Sequence, residues 1–180
     1  YDRSKILRRA AEILDGRREE VADLITAESG LSKKDTLYEV GRAFDVFMLS
    51  STACLTDEGQ ILPCDISPHG KKRRIYTQRE PLRAISAITP FNHPLNMVAH
   101  KIAPAFAAGN AVVLKPASST PLTACLLAQA LVDAGIPPGF LAVVHGSAQV
   151  AGWLIEDSRV RFIAFTGSTE VGRRIQRSAD

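Results

Sequence analysis

Four times between residues 84 and 172 the chain passes through a short apolar run and then a helix-forming stretch, and this alternation limits the fold more than any other feature. The runs fall at 84–88, 111–114, 141–144 and 162–165, with helical spacing at about 94–107, 121–134, 149–156 and from 169 onward. Consecutive rather than alternating apolar residues mark strands covered on both faces. Strands joined by helix-length connections pair in parallel, with right-handed crossovers. The expectation is an α/β domain built on a Rossmann-like, doubly wound parallel sheet.

Upstream of this beat the pattern is helical. Ile6, Leu7, Ala10, Ala11, Ile13 and Leu14 recur at helical spacing, Val21, Leu24 and Ile25 continue the helix past Gly16, and Glu28-Ser29-Gly30 reads as its stop. A second helix is predicted over about 34–54, carrying Leu37, Val40, Phe44, Val46 and Phe47. From 59 to 82 the texture changes. Ile61-Leu62 and Arg74-Ile75-Tyr76-Thr77 flank a turn-rich cluster, which predicts a protruding β-hairpin kept at an edge by Pro63 and Pro68.

In a doubly wound sheet, ligands bind outside the carboxyl ends of the strands. The residues there are Thr89-Pro90-Phe91-Asn92-His93, Lys115-Pro116-Ala117-Ser118, His145-Gly146-Ser147, and Thr166-Gly167-Ser168-Thr169-Glu170-Val171-Gly172. Gly167 allows a tight turn into a helix whose free amides suit a pyrophosphate, though an ordinary strand-to-helix turn would look the same. GxGxxG is absent, since Thr169 stands where the second glycine would be. Lys115 can reach ribose hydroxyls or a phosphate, or serve as plain solvated charge. The Asn92 amide can donate to a developing oxyanion, or cap the next helix.

Composition removes several function classes. With 22 basic residues against 19 acidic ones, a net charge of +3 marks no nucleic-acid partner, and Lys71-Lys72-Arg73-Arg74 reads as a solvated face. Cys54, Cys64 and Cys125 are odd in number and lack CxxC spacing, so neither a disulfide framework nor a metal site is expected. That usage suits a reducing, cytoplasmic compartment, with Cys64 and Cys125 as small buried hydrophobes. No apolar run is long enough for a membrane span. The chain opens on Tyr1 with a helix pattern already running, so a clipped N-terminus is expected.

Several linked stretches carry a resemblance. Ile88-Thr89-Pro90-Phe91-Asn92-His93-Pro94, Lys101-Ile102-Ala103-Pro104-Ala105-Phe106-Ala107-Ala108-Gly109-Asn110, Val113-Leu114-Lys115-Pro116-Ala117 and Phe165-Thr166-Gly167-Ser168-Thr169-Glu170-Val171-Gly172 closely resemble the aldehyde dehydrogenase superfamily, in the same order. The resemblance implies that residues 1–180 form an incomplete NAD(P)-binding domain, interrupted by an oligomerisation hairpin at 59–82, with the catalytic domain absent. The nucleophilic Cys and general-base Glu would lie beyond Asp180, so this piece alone is expected to be inactive. It further implies oxidation of an aldehyde to a carboxylate through a cysteine thiohemiacetal and thioester in a homodimer or homotetramer.

Position by position, Asn92 resembles the oxyanion-hole asparagine and Lys115 the lysine at the adenosine ribose. Gly167 and Ser168 resemble the pyrophosphate-facing helix start, Val171 the adenine contact, and Ile88, Thr89, Pro90 and Phe91 the strand end beside the nicotinamide. Gly146 and Thr166 complete the expected cofactor-binding set. Ser118 fills a place where many NAD-preferring members have Glu, so NADP is expected to be tolerated alongside NAD. A narrower likeness, through Leu37-Tyr38-Glu39-Val40-Gly41-Arg42-Ala43 and the segment 64–74, is to the phosphonoacetaldehyde dehydrogenase branch. It makes Arg42 and His93 candidate contacts for an anionic aldehyde, against their readings as a surface helix residue and a packed loop histidine. Lactaldehyde or succinate semialdehyde as substrate, and a non-catalytic nucleotide-binding or interaction module, are the alternatives.

Overall fold

The computed structural model describes residues 1–56 and 58–179. Three helices come first, α1 (Asp2–Gly16), α2 (Arg18–Ser29) and α3 (Lys33–Ala53). The single first helix expected from spacing is therefore two. The chain leaves helical geometry at Arg17 (φ −110°, ψ 23°), directly after Gly16, a weak helix former. Exposed side-chain bonds brace both sides of the break, from Arg17 to Glu20 (2.6 and 2.8 Å) and from Arg18 to Asp15. Val21 and Ile25 are fully buried on the far side of this turn, in the core that also holds Leu7 and Leu14. Helix α2 stops where expected, on Gly30 in the left-handed region (φ 74°).

The hairpin is present. Strands β1 (Ile61–Leu62) and β2 (Ile75–Tyr76) pair antiparallel, Ile61 against Tyr76, and Thr77 N–H donates to the Gln60 carbonyl at 2.8 Å. Both strands are exposed throughout, as are Lys71 to Arg74 beside them.

The alternating units form a four-stranded, wholly parallel sheet in the order β5-β4-β3-β6. Its strands are β3 (Ala84–Ile88), β4 (Ala111–Lys115), β5 (Leu141–Val143) and β6 (Val160–Phe165), alternating with α4 (Asn96–Ala107), α5 (Pro121–Asp133), α6 (Ala148–Glu156) and α7 (Thr169–Ala179). The chain lays β3, β4 and β5 outward in one direction, then returns to place β6 on the other side of β3. With right-handed crossovers, this reversal puts α4 and α5 on one face and α6 on the other. Helices α1–α3 pack over α4 and α5, whereas α6 packs on β6, β3 and α7.

The two faces differ in depth of burial. Phe47, Phe106, Leu114, Leu127 and Leu131 are fully buried on the α1–α5 side, where Phe106 meets Phe140 edge-on with ring centroids 5.5 Å apart. Helices α6 and α7 bury no residue completely. Among the described residues, no helix is long and apolar enough to cross a membrane.

Candidate functional site

Where strand order reverses, neighbouring connections diverge to opposite faces and leave a crevice at the carboxyl ends. Here the reversal lies between β3 and β6. Ile88 pairs with Lys115 on one side and with Phe165 on the other, so the three strand ends stand level. Backbone bonds continue the ladder into the loops, from Thr89 N–H to the Lys115 carbonyl (3.3 Å) and from Thr166 N–H to the Ile88 carbonyl (3.2 Å). Ile88, Thr89, Pro90, Lys115 and Thr166 thus share one rim. Next along, Ser118 Oγ donates to the Gly146 carbonyl at 3.3 Å, tying the β4 and β5 loops together. A Cβ on Gly146 would run into the Val150 side chain, so that close loop-to-helix approach needs glycine.

The four helices that open on this rim do not present equivalent N-termini. At α5, Glu28 reaches over from α2 and accepts from the amides of Leu122 (2.6 Å) and Thr123 (2.7 Å) and from the Thr123 hydroxyl. At α4, the buried carboxylate of Glu39 on α3 accepts from the amides of Leu95 (2.8 Å) and Asn96 (2.9 Å). Both positive helix ends are therefore already filled by carboxylates. At α6 and α7 only serine hydroxyls stand in, Ser147 accepting from Gln149 N–H and Ser168 from Val171 N–H. Glu170 in the first turn of α7 accepts from Arg174 (3.0 Å) rather than from the helix amides, so α6 and α7 are the two ends that no carboxylate fills. Gly167 opens that side: a Cβ there would lie 2.5 Å from the Phe165 ring.

Two half-withdrawn ammonium groups reinforce this polarity. Lys115 is buried, and its Nζ donates to the Pro116 carbonyl (3.3 Å); desolvation lowers its pKa below the ordinary lysine value. Lys101 on α4 donates to Thr166 Oγ1 at 2.7 Å and is lowered for the same reason. Among the described residues, no carboxylate pairs with either. Each burial cost would fall if a negative group arrived.

Phe91, Asn92 and His93 are exposed on the loop between β3 and α4. The Asn92 amide does not cap α4 and has no hydrogen-bond partner among the described residues. His93 Nδ1 lies 3.3 Å from Glu39 Oε2, at the edge of hydrogen-bond reach. Arg42 is exposed one helical turn beyond Glu39 and shares a shallow groove with His100 of α4. Burial first, then the Arg42 charge, and then Lys101 lower the His100 pKa.

Cys64 and Cys125 depart from the expectation of buried hydrophobes. Both are half-exposed, and Cys125 Sγ lies 3.5 Å from His145 Nε2. Cys125 thus joins α5 to the loop after β5. Spacing along the sequence did not reveal Glu28, Glu39, Lys101 or His100. Glu39 and Lys101 fall within the resemblance-bearing stretches, but nothing local distinguishes a capping carboxylate when its helix lies 57 residues away in sequence.

Three comparisons bear on this geometry. The aldehyde dehydrogenase family profile matches residues 1–180. The chain is 40% identical over 180 residues to a 3-sulfolactaldehyde dehydrogenase of Priestia megaterium, covering 99% of this chain and 38% of that protein. It is 41% identical over 179 residues to a succinate-semialdehyde dehydrogenase of Paenarthrobacter nicotinovorans, covering 98% of this chain and 39% of that one. Among solved structures, aldehyde dehydrogenase 21 from Physcomitrella patens, in complex with the product succinate, superposes with a TM-score of 0.96 at 36% identity, over 99% of this chain and 37% of the other. NADP-dependent glyceraldehyde-3-phosphate dehydrogenase from Bacillus halodurans, complexed with NADP, gives 0.94 at 37% identity over 99% and 38%. The chain thus spans well under half the length of the relatives it matches.

Proposed function

Since the chain belongs to the aldehyde dehydrogenase family, we propose that it forms most of the NAD(P)-binding domain of an enzyme that oxidises a small anionic aldehyde to a carboxylate. In this reading residues 1–180 are one incomplete domain, the 59–82 hairpin joins a neighbouring subunit in a homodimer or homotetramer, and the catalytic domain lies outside the chain. The observation that carries it is the coincidence on one rim of a free Asn92 amide and a helix N-terminus left open to an anion, beside two helix ends already closed by Glu39 and Glu28.

The residues present fit a dinucleotide. Ser168 and the first amides of α7 would take the pyrophosphate, with Gly167 keeping the approach clear and Val171 offering apolar contact to the adenine. Lys115 and Ser118 would face the adenosine ribose, near Gly146, and Ile88 to Phe91 with Thr166 would flank the nicotinamide half. When bound, the cofactor supplies a hydride acceptor. The chain's own contribution is orientation and charge. The Asn92 amide would donate to the oxygen that becomes negative when a thiolate from outside this chain attacks the aldehyde, and again in the thioester's hydrolysis. Removal of one such donor typically costs about 10²–10³ in kcat.

An anionic substrate would be drawn by Arg42 and His100 of the α3–α4 groove, which Asp45 also lines, with His93 a further candidate on the β3–α4 loop. Names borne by similar proteins, 3-sulfolactaldehyde and succinate-semialdehyde dehydrogenase, support a negatively charged aldehyde over neutral lactaldehyde, with phosphonoacetaldehyde and succinate semialdehyde both fitting. In the full-length enzyme, Arg42→Ala should raise KM for phosphonoacetaldehyde or succinate semialdehyde about tenfold or more and leave propanal little changed, a difference of ~1.4 kcal/mol. Equal effects on charged and neutral aldehydes would remove Arg42 from the substrate site.

The cofactor reading follows from Ser118. No carboxylate stands there to repel a 2′-phosphate, and Lys115 is nearby, so NADP should be accepted alongside NAD. Comparison of kcat/KM for the two cofactors decides it, and strict NAD dependence would overturn it.

A further inference from the structure

Asn92 lies three residues before Leu95, the N-cap of α4, a spacing at which its side-chain oxygen could accept from the Leu95 amide. It does not do so. The amides of Leu95 and Asn96 are taken instead by Glu39, 56 and 57 residues earlier in the chain, whose carboxylate is almost wholly buried. Burying a carboxylate is costly unless its oxygens are filled, and these are: Oε1 by the two amides, Oε2 facing His93 Nδ1 at 3.3 Å. A cap alone needs no such device, since a short polar side chain at the helix start serves equally well.

From this arrangement we propose that Glu39 is a positioning residue that keeps the Asn92 amide free and aimed at the rim, by occupying the helix amides that would otherwise claim it. The loop from Thr89 to Pro94 is held at both ends, by Thr89 on the Lys115 carbonyl and by Leu95 and Asn96 on Glu39. Between these anchors Asn92 is exposed and unpartnered, while its neighbour His93 is within reach of the same carboxylate. Groups that fix a reacting side chain without touching substrate act through that side chain's geometry. If Glu39 is lost, the vacated amides can recruit Asn92 Oδ1 as a local cap and draw it away from the rim. This rests on the reading of Asn92 as the oxyanion donor.

The test uses the full-length enzyme with succinate semialdehyde and saturating NADP. Asn92→Ala should lower kcat about 100-fold and Glu39→Gln about tenfold, with the NADP Kd within about twofold of wild type. Because Glu39 acts only through Asn92, the double variant should be no slower than Asn92→Ala alone, whereas independent defects would multiply. Glu39→Asp, which keeps the charge one methylene shorter, should recover part of the loss. It carries the same double-variant comparison should Glu39→Gln not fold. Wild-type kcat in Glu39→Gln, or losses that multiply with those of Asn92→Ala, would overturn the role of Glu39 while leaving the dehydrogenase reading intact. Wild-type kcat in Asn92→Ala would overturn both.

Discussion

Replacing Glu28 with Ala should destabilise the chain by about 2–3 kcal/mol, far more than a typical change at a half-exposed helix end. The carboxylate accepts three short bonds, from Leu122 N–H (2.6 Å), Thr123 N–H (2.7 Å) and the Thr123 hydroxyl (2.6 Å). Loss of a helix N-cap typically costs about 1 kcal/mol and reaches about 2. The charge facing the macrodipole adds up to about 1 kcal/mol. Summing the full worth of three charge-assisted bonds would overshoot, because Leu122 is exposed and water can replace Glu28 at its amide. Thr120, at the N-cap of α5, makes no side-chain cap bond while Glu28 fills the amides. For a chain of this size, 2–3 kcal/mol corresponds to a fall in Tm of about 5–10 °C. Urea unfolding followed by far-ultraviolet circular dichroism measures the change, with an unaltered m value showing that the unfolded state is the same. Glu28→Gln, which keeps one acceptor oxygen, should lose about half as much. A Glu28→Ala variant within about 0.5 kcal/mol of wild type would refute the idea that α5 depends on a carboxylate from α2.

Two further expectations concern the rim. Gly167→Ala places a Cβ 2.5 Å from the Phe165 ring, which must swing aside; NADP affinity in the full-length enzyme, measured by calorimetry, should fall about tenfold, or ~1.4 kcal/mol, and unchanged affinity would remove Gly167 from the cofactor site. His100 takes its proton at lower pH when folded than when unfolded, through burial and the Arg42 charge, so it contributes stability above the ordinary histidine pKa of about 6.5 that is lost as pH falls through its folded pKa. Arg42→Ala should raise that folded pKa in an NMR titration, and an unmoved value would separate the two residues.

The periodicity of apolar runs was enough to find every strand of the parallel sheet, because strands of such a sheet carry consecutive apolar residues, a run that β5 and β6 keep even with Ala142 and Phe162 exposed. The β3 limits at Ala84 and Ile88 agree with it to the residue. The split at Arg17 was not legible, since buried positions on α1 and α2 keep helical spacing across a one-residue break. Strand order escaped the sequence as well: four similar runs do not say which neighbours which, and the placement of β6 beside β3 creates the crevice. The rim residues Asn92, Lys115 and Ser168 were legible as strand-end polar groups. The capping carboxylates Glu39 and Glu28 were not, because their task is set entirely by tertiary packing and each looks like any acidic residue on a helix.

Within these 180 residues the sheet's two faces are unequally buried. Helices α1–α5 close over a continuous core, whereas α6, β6 and α7 leave Trp153, Phe162 and Val171 in solvent at 60%, 52% and 43% exposure. Segments with few buried apolar contacts open at a fraction of the global unfolding free energy. A dinucleotide held by Ser168 and the α7 amides would fasten this looser layer, and any ligand that binds only the closed form raises the population of that form by mass action. In the 180-residue chain taken by itself, a bound dinucleotide would then act as a clasp on its least buried layer.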